Sequence, residues 1–233
     1  MIPIISLLGI PACGKGTIGA MLAKQFDLYY ISFGDMLRSL GNIKSFSVIT
    51  VRQYIYEYTL NGGIIPADLC AELEASMDWT VAAVIYNCHA RRELVPLAIA
   101  LPSLQRRLQR ASKEYKYRGI LLDGFPRQLD HLKAAQRVVG SSLPNLTIVI
   151  ECPEEVARSR YLKRAGDNDS VRGFEKRLAH FKENMKLLRP ELERNGLVRT
   201  VNDGSMTVGE AYVTLLTQLF HNKTWNDIAN SSI

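Results

Sequence analysis

Gly9-Ile10-Pro11-Ala12-Cys13-Gly14-Lys15-Gly16-Thr17 decides how this chain folds. The apolar run Ile2 to Leu8 leads into it, and a segment of helical periodicity, Lys15 to Phe26, leaves it with Ile18, Met21, Leu22 and Phe26 on one face. A glycine-rich turn between a buried strand and a helix points several backbone N–H groups inward beside the positive end of the helix, which suits a polyphosphate. Pro11, Ala12, Cys13, Gly14, Lys15, Gly16 and Thr17 are therefore the candidate phosphate-binding residues, with Lys15 reaching the β- and γ-groups. The usual loop places a hydroxyl directly after the lysine to ligate Mg²⁺. Here Gly16 takes that place, and Thr17 supplies the hydroxyl one residue later.

Outward from the loop, strand-length apolar runs recur at Ile120 to Leu122, Leu146 to Ile150 and Leu197 to Val201, separated by helix-like segments. Unbroken apolar strands between helices imply a parallel sheet covered on both faces. The acidic turn Pro153-Glu154-Glu155 opens a helix whose basic tail reaches Arg164. A further helix is expected from Ser170 to about Leu188, ending before Pro190, because proline disfavours helical geometry in the residue preceding it. The last helix should run from Thr207 to Phe220, leaving His221 to Ile233 as a loose polar tail.

At 233 residues, with 47% hydrophobic and 22% charged, the chain fits one large α/β domain, and two independent domains are not required. The net charge of +6 suits a phosphate-binding cleft as well as a nucleic acid. Aromatic residues are not interleaved with the basic cluster Arg106, Arg107 and Arg110, so nucleic acid is not an expected partner. Cys13, Cys70, Cys88 and Cys152 are scattered and read as reduced thiols. No stretch approaches the roughly 20 apolar residues of a membrane helix. A monomer without membrane attachment is expected in the cytoplasm, with a mitochondrial compartment left open.

Three further segments make the chain resemble adenylate kinase and its pyrimidine-nucleotide relatives, the nucleoside monophosphate kinases. Ile31-Ser-Phe-Gly-Asp-Met-Leu-Arg38 is similar to the segment whose arginine holds the acceptor phosphate, which implies that role for Arg38. Asn61-Gly-Gly-Ile-Ile-Pro66 resembles the GxxVP turn, which would set Ile64 and Ile65 against the acceptor base. Ile120-Leu-Leu-Asp-Gly-Phe-Pro-Arg127 matches the DGFPR phrase. There the resemblance implies that Asp123 orders the water shell of Mg²⁺, that Gly124 lines the acceptor site, and that Arg127 is a second forked donor to the acceptor phosphate. Arg160 and Arg164 resemble the paired arginines entering the lid, and Arg177 the one returning from it.

The pattern also departs from the family. A lid arginine is missing where Gly166 stands, and Arg172 is the candidate to replace it from another position. Phe33 occupies a place usually held by threonine or alanine, and His131 that of a base-reading amide, so these two are candidate acceptor contacts that leave the base open. The passage from Met77 to Lys116 is longer than the family's.

The resemblance thus implies a P-loop three-layer fold with a parallel sheet, an acceptor-binding helical subdomain at about 34–116, enlarged by an insertion at about 77–116, and a short lid at about 164–173. The implied activity is transfer of the ATP γ-phosphoryl to AMP with Mg²⁺, catalysed by Lys15, Arg127, Arg164 and Arg177. The alternatives are a UMP/CMP kinase and, in another class, a catalytically weak nucleotide-binding regulatory protein.

Overall fold

The computed structural model describes residues 2–114, 116–140, 143–164 and 170–231. Strands β1 (Ile4–Gly9), β2 (Leu28–Ser32), β3 (Gly119–Asp123), β4 (Leu146–Glu151) and β5 (Leu197–Val201) form one parallel sheet in the order β2-β3-β1-β4-β5. All six residues of β1 are buried, as a central strand covered on both faces requires. Pairings of Leu7 with Asp123, Ser32 with Asp123 and Gly9 with Ile150 align the carboxyl ends at one edge, where the order reverses about β1. A ligand crevice is expected at such a point.

Eleven described helices surround the sheet: α1 (Lys15–Gln25), α2 (Phe33–Gly41), α3 (Val51–Leu60), α4 (Ala67–Ala71), α5 (Val81–Arg91), α6 (Leu97–Lys113), α7 (Leu129–Val139), α8 (Glu154–Lys163), α9 (Val171–Glu193), α10 (Val208–Phe220) and α11 (Lys223–Ala229). Side chains alternate along a strand. On one face Ile4, Ile120 and Leu122 pack with Met36, Leu101 and Ala134 of α2, α6 and α7. On the other, Ile5, Leu7 and Ile148 pack with Ile18, Ala157 and Leu215 of α1, α8 and α10. The expected three-layer α/β fold is what the chain adopts.

Four expectations need correction. Strand β2 lies where only a motif was read; its alternation is veiled by Tyr29 and Tyr30, which keep polar tips partly exposed. Helix α9 continues through Pro190 to Glu193. Proline inside a helix costs ~3 kcal/mol. Leu188 and Leu192, 1% and 0% exposed against Leu8 and Val149, offset this, since each buried side chain contributes ~1.5–3 kcal/mol.

The tail is not loose through its whole length either. Asn222 caps α11 by accepting from the Trp225 amide, and Trp225 is fully buried with its ring 4.8 Å from that of Phe26. Finally, the stretch 77–116 holds α5 and α6, but α6 is no peripheral addition. Leu97 to Leu101 are buried in the same core as Ile120 and Leu122, so α6 is one of the sheet-covering helices.

Candidate active site

At the loop, Gly9 and Gly14 are required by geometry. A Cβ on Gly9 would stand 2.5 Å from the Ile150 carbonyl oxygen, and Gly14 caps α1 at φ 100° with its Cβ position 2.7 Å from Asn202 Nδ2. Asn202 is buried and donates to the Cys13 carbonyl at 2.9 Å, fastening the loop to the end of β5. Lys15 Nζ donates to the carbonyls of Gly9 at 2.8 Å and Ile10 at 2.9 Å, and lies 3.6 Å from Cys13 Sγ. The first turn of α1 contains no acidic residue, so its amide dipoles stay uncompensated and favour an anion. Thr17 is exposed in that turn.

Asp123, ending β3, accepts a hydrogen bond from Tyr30 Oη at 2.7 Å on Oδ2. Burial, then the Asp123 charge, push the Tyr30 hydroxyl well above its ordinary pKa, so it remains a donor. Sequence reasoning missed Tyr30; the cue was its place in a strand beside the Asp123 strand. Gly124, at φ 76°, donates its amide to Leu7, and its carbonyl accepts from Arg127 Nε at 3.0 Å. The turn thereby aims Arg127 back across the sheet edge.

Arginines converge there. The position of a Cβ on Gly34 lies 3.3 Å from Arg127 Nη2 and 3.5 Å from Arg38 Nη1, so the two guanidiniums meet over the start of α2. Arg127 lies 5.2 Å over the Phe33 ring, and Arg164 and Arg177 lie 5.1 and 5.7 Å over the buried Tyr161 ring. Packing around Arg127, together with the charges of Arg177 and Arg38 and against that of Asp123, pushes its pKa down to about 10. Burial is the larger cause; the positive charges of Arg177 and Arg38 beside Arg127 are the part that favours an anion. Asp35 is held below its usual range by the Ser32 hydroxyl first, then by its ion pair with Arg38 and by Arg164. Arg160 turns toward the loop instead, donating to Asn202 Oδ1 at 3.2 Å.

The remaining expected residues divide. Phe33 is 1% exposed beneath Arg127 and against Phe125, so its ring serves as a platform for the guanidinium and has no open face for a base. His131 is buried and stacked on Phe125, with Nδ1 lacking a hydrogen-bond partner; burial, then Arg127, hold it neutral with a pKa of about 3. Ile65 packs half-buried against the core that holds Phe33 and Phe125, while Ile64 is exposed. Gly63 packs on Tyr58, and Tyr58 sits beside Arg106, about 15 Å along α6 from Pro96 at the rise of an α-helix.

A second turn of the same kind, Arg92-Glu93-Leu94-Val95-Pro96, buries its Val95 in that same core. It follows His89, whose surroundings include Arg38, Arg127 and Arg177. Its Val-Pro pair, with buried Val95 just before the long apolar start of α6, was the overlooked signal. Gly166 and most of the expected lid lie outside the described residues; Arg172 is exposed in the first turn of α9. Among the described residues no group of three or more His, Cys, Asp or Glu could hold a metal, and no helix is long and apolar enough to cross a membrane.

The chain is similar in sequence to known proteins. The AAA domain family matches residues 8–59, from the end of β1 through most of α3. Human adenylate kinase isoenzyme 5 is 26% identical over 201 residues, covering 84% of this chain but 29% of its own length, so the chain spans less than a third of that relative. The Prochlorococcus marinus adenylate kinase is 26% identical, with 84% of this chain and 87% of its own length covered. The Gallus gallus UMP-CMP kinase is 26% identical, with 90% and 92% covered. Beside the loop, the DGFPR turn and the converging arginines at one sheet edge, these likenesses to adenylate kinases and UMP-CMP kinases support a kinship with the nucleoside monophosphate kinases.

Proposed function

We propose that the protein transfers the γ-phosphoryl of ATP to a nucleoside monophosphate, with AMP as the acceptor. The observation that carries this reading is the meeting of Arg38 and Arg127 over Gly34, across the sheet edge from an anion-ready loop. An oxygen of the acceptor phosphate attacks the γ-phosphorus, the bond to the β–γ bridging oxygen breaks, and ADP leaves with the electron pair. Lys15 exchanges its carbonyl partners for phosphate oxygens. Arg38 and Arg127 hold the acceptor phosphate, and Arg164 and Arg177, aligned on Tyr161, neutralise charge on the moving group.

One carboxylate with one oxygen engaged by Tyr30 fits a Mg²⁺ held mainly by nucleotide oxygens and water, with Asp123 and Thr17 holding that water shell. When bound, the ion would neutralise phosphate charge. The backbone of Glu93 to Val95 replaces Ile64 and Ile65 as the wall of the base pocket, with His131 beside it. A pyrimidine monophosphate is the second reading, favoured by the likeness to a UMP-CMP kinase over almost its full length.

The test is ADP formation from ATP and Mg²⁺ with AMP, UMP, CMP and GMP in turn, comparing the protein with Lys15→Met. Rapid transfer to one acceptor that falls about a hundredfold or more in the variant is expected. ATP binding without transfer to any of the four would sink the kinase reading and leave a nucleotide-binding regulatory protein.

A further inference from the structure

We propose that His89, carried by the helix preceding the Val95-Pro96 turn, is an acceptor-binding residue that donates a hydrogen bond to the phosphate of the monophosphate. This rests on the reading of the site given above. The case begins with the way α5 is held. Its Ile85 packs against Gly41, where a Cβ would meet it at 3.2 Å, so α5 lies on α2, the helix of Arg38. Its other end is tied to α9: Lys176 Nζ donates to the Arg91 carbonyl at 2.5 Å and lies 3.7 Å from Glu93 Oε1. Lys176 immediately precedes Arg177. The helix therefore bridges the elements that carry two of the phosphate-binding candidates, and His89 sits in its last turn, where the bridge closes.

The charges around the imidazole agree with that placement. Arg38 on α2, Arg127 in the turn after β3, Arg177 on α9 and Arg92 at its own C-cap are near enough to act on it electrostatically. Half-burial, followed by these four charges, lowers its proton affinity below that of an ordinary histidine. Asp35 is engaged with Arg38 and Glu93 with Lys176, while burial keeps the neighbouring Cys88 thiol protonated. Among the described residues the imidazole has no hydrogen-bond partner. A half-buried donor with no partner, ringed by guanidiniums, has the surroundings of a phosphate ligand. A dianionic phosphate entering the ring would compensate the arginines and raise the proton affinity of His89, so that the bound form carries the stronger, charge-assisted donor.

His89→Gln and His89→Ala are compared with the unaltered protein, after thermal melts show that each folds, by steady-state kinetics with AMP and ATP varied separately between about pH 6 and pH 8. The KM for AMP is expected to rise about tenfold in both, with the KM for ATP within about twofold. AMP itself titrates in this range, so the readout is the ratio of variant to unaltered KM. That ratio should be larger at pH 6 than at pH 8, because protonated His89 contributes most there. An unchanged KM for AMP, an equal rise for ATP, or a ratio flat with pH would overturn the proposal. AMP binding by calorimetry accompanies the kinetics. If the unaltered protein transfers nothing yet binds AMP more tightly than His89→Gln, the kinase reading fails and the His89 assignment stands. If it binds none of AMP, UMP, CMP and GMP, both fail.

Discussion

On one side of the cleft, the loop from Gly9 to Thr17 is fixed by bonds within itself and by Asn202; on the other, Arg38, Arg127, Arg177 and His89 arrive from four separate segments. The loop turns its own carbonyls onto Lys15, so its charge is satisfied locally. The acceptor side gathers like charges, and aromatic surfaces hold them in place: Phe33 under Arg127, Tyr161 under Arg164 and Arg177. Mutual repulsion there is relieved by an entering anion. The loop side therefore depends on backbone geometry, and the acceptor side on packing and field.

Gly14→Ala should give the largest effect, because it attacks the loop where backbone geometry is everything. The added Cβ would meet Asn202 Nδ2 at 2.7 Å and also pay for left-handed geometry at φ 100°. Gly62→Ala is the control, with φ 77° and nothing within 4 Å. The control should lose only the ~1–2 kcal/mol that such geometry costs. Gly14→Ala should lose more, together with ATP binding, as read by denaturant titration and calorimetry. Equal losses in the two would show that Asn202 gives way freely and that the loop is not held as described.

On the acceptor side the next largest effect is one of pH. His131 has a pKa of about 3 when folded and about 6.5 as an ordinary histidine, through burial first and Arg127 second. The folded state keeps it neutral while the unfolded chain takes up a proton below about pH 6.5. Its contribution to stability is thus complete above pH 6.5 and is lost as pH falls toward 3, at up to ~1.4 kcal/mol per unit. His131→Gln removes the titration while carboxylates act equally in both proteins. The unaltered protein should lose stability more steeply than His131→Gln between pH 6.5 and 4.5 in chemical denaturation; parallel curves would mean that water reaches the imidazole.

The same contrast explains what could be read from the residues alone. The loop and strands β1, β3, β4 and β5 are coded by contiguous stretches, so pattern and structure coincide. The acceptor side depends on which distant segments meet. Ile64-Ile65-Pro66 and Val95-Pro96 look alike locally, and only the docking of α6 on the sheet shows that Val95 is buried in the core of Ile120 and Leu122. Helix α11 and the passage of α9 through Pro190 were hidden for a related reason: each exists because Trp225, Leu188 or Leu192 finds a core that no local pattern announces.

Tyr30 belongs to both sides, and its hydroxyl gives the smallest effect that still discriminates. Its ring packs near Gly19, whose Cβ position lies 3.0 Å from Tyr30 Cε2, so Tyr30→Phe keeps the contact between β2 and α1. What is lost is one hydrogen bond to Asp123 Oδ2, worth ~1 kcal/mol, which orients the carboxylate proposed to order the Mg²⁺ waters. Turnover should fall about fivefold and the Mg²⁺ concentration for half-maximal rate should rise, while the KM for AMP stays unchanged because Arg38 and Arg127 are untouched. A KM for AMP that rises instead would place Tyr30 and Asp123 on the acceptor side of the divide, and the metal would then need another anchor.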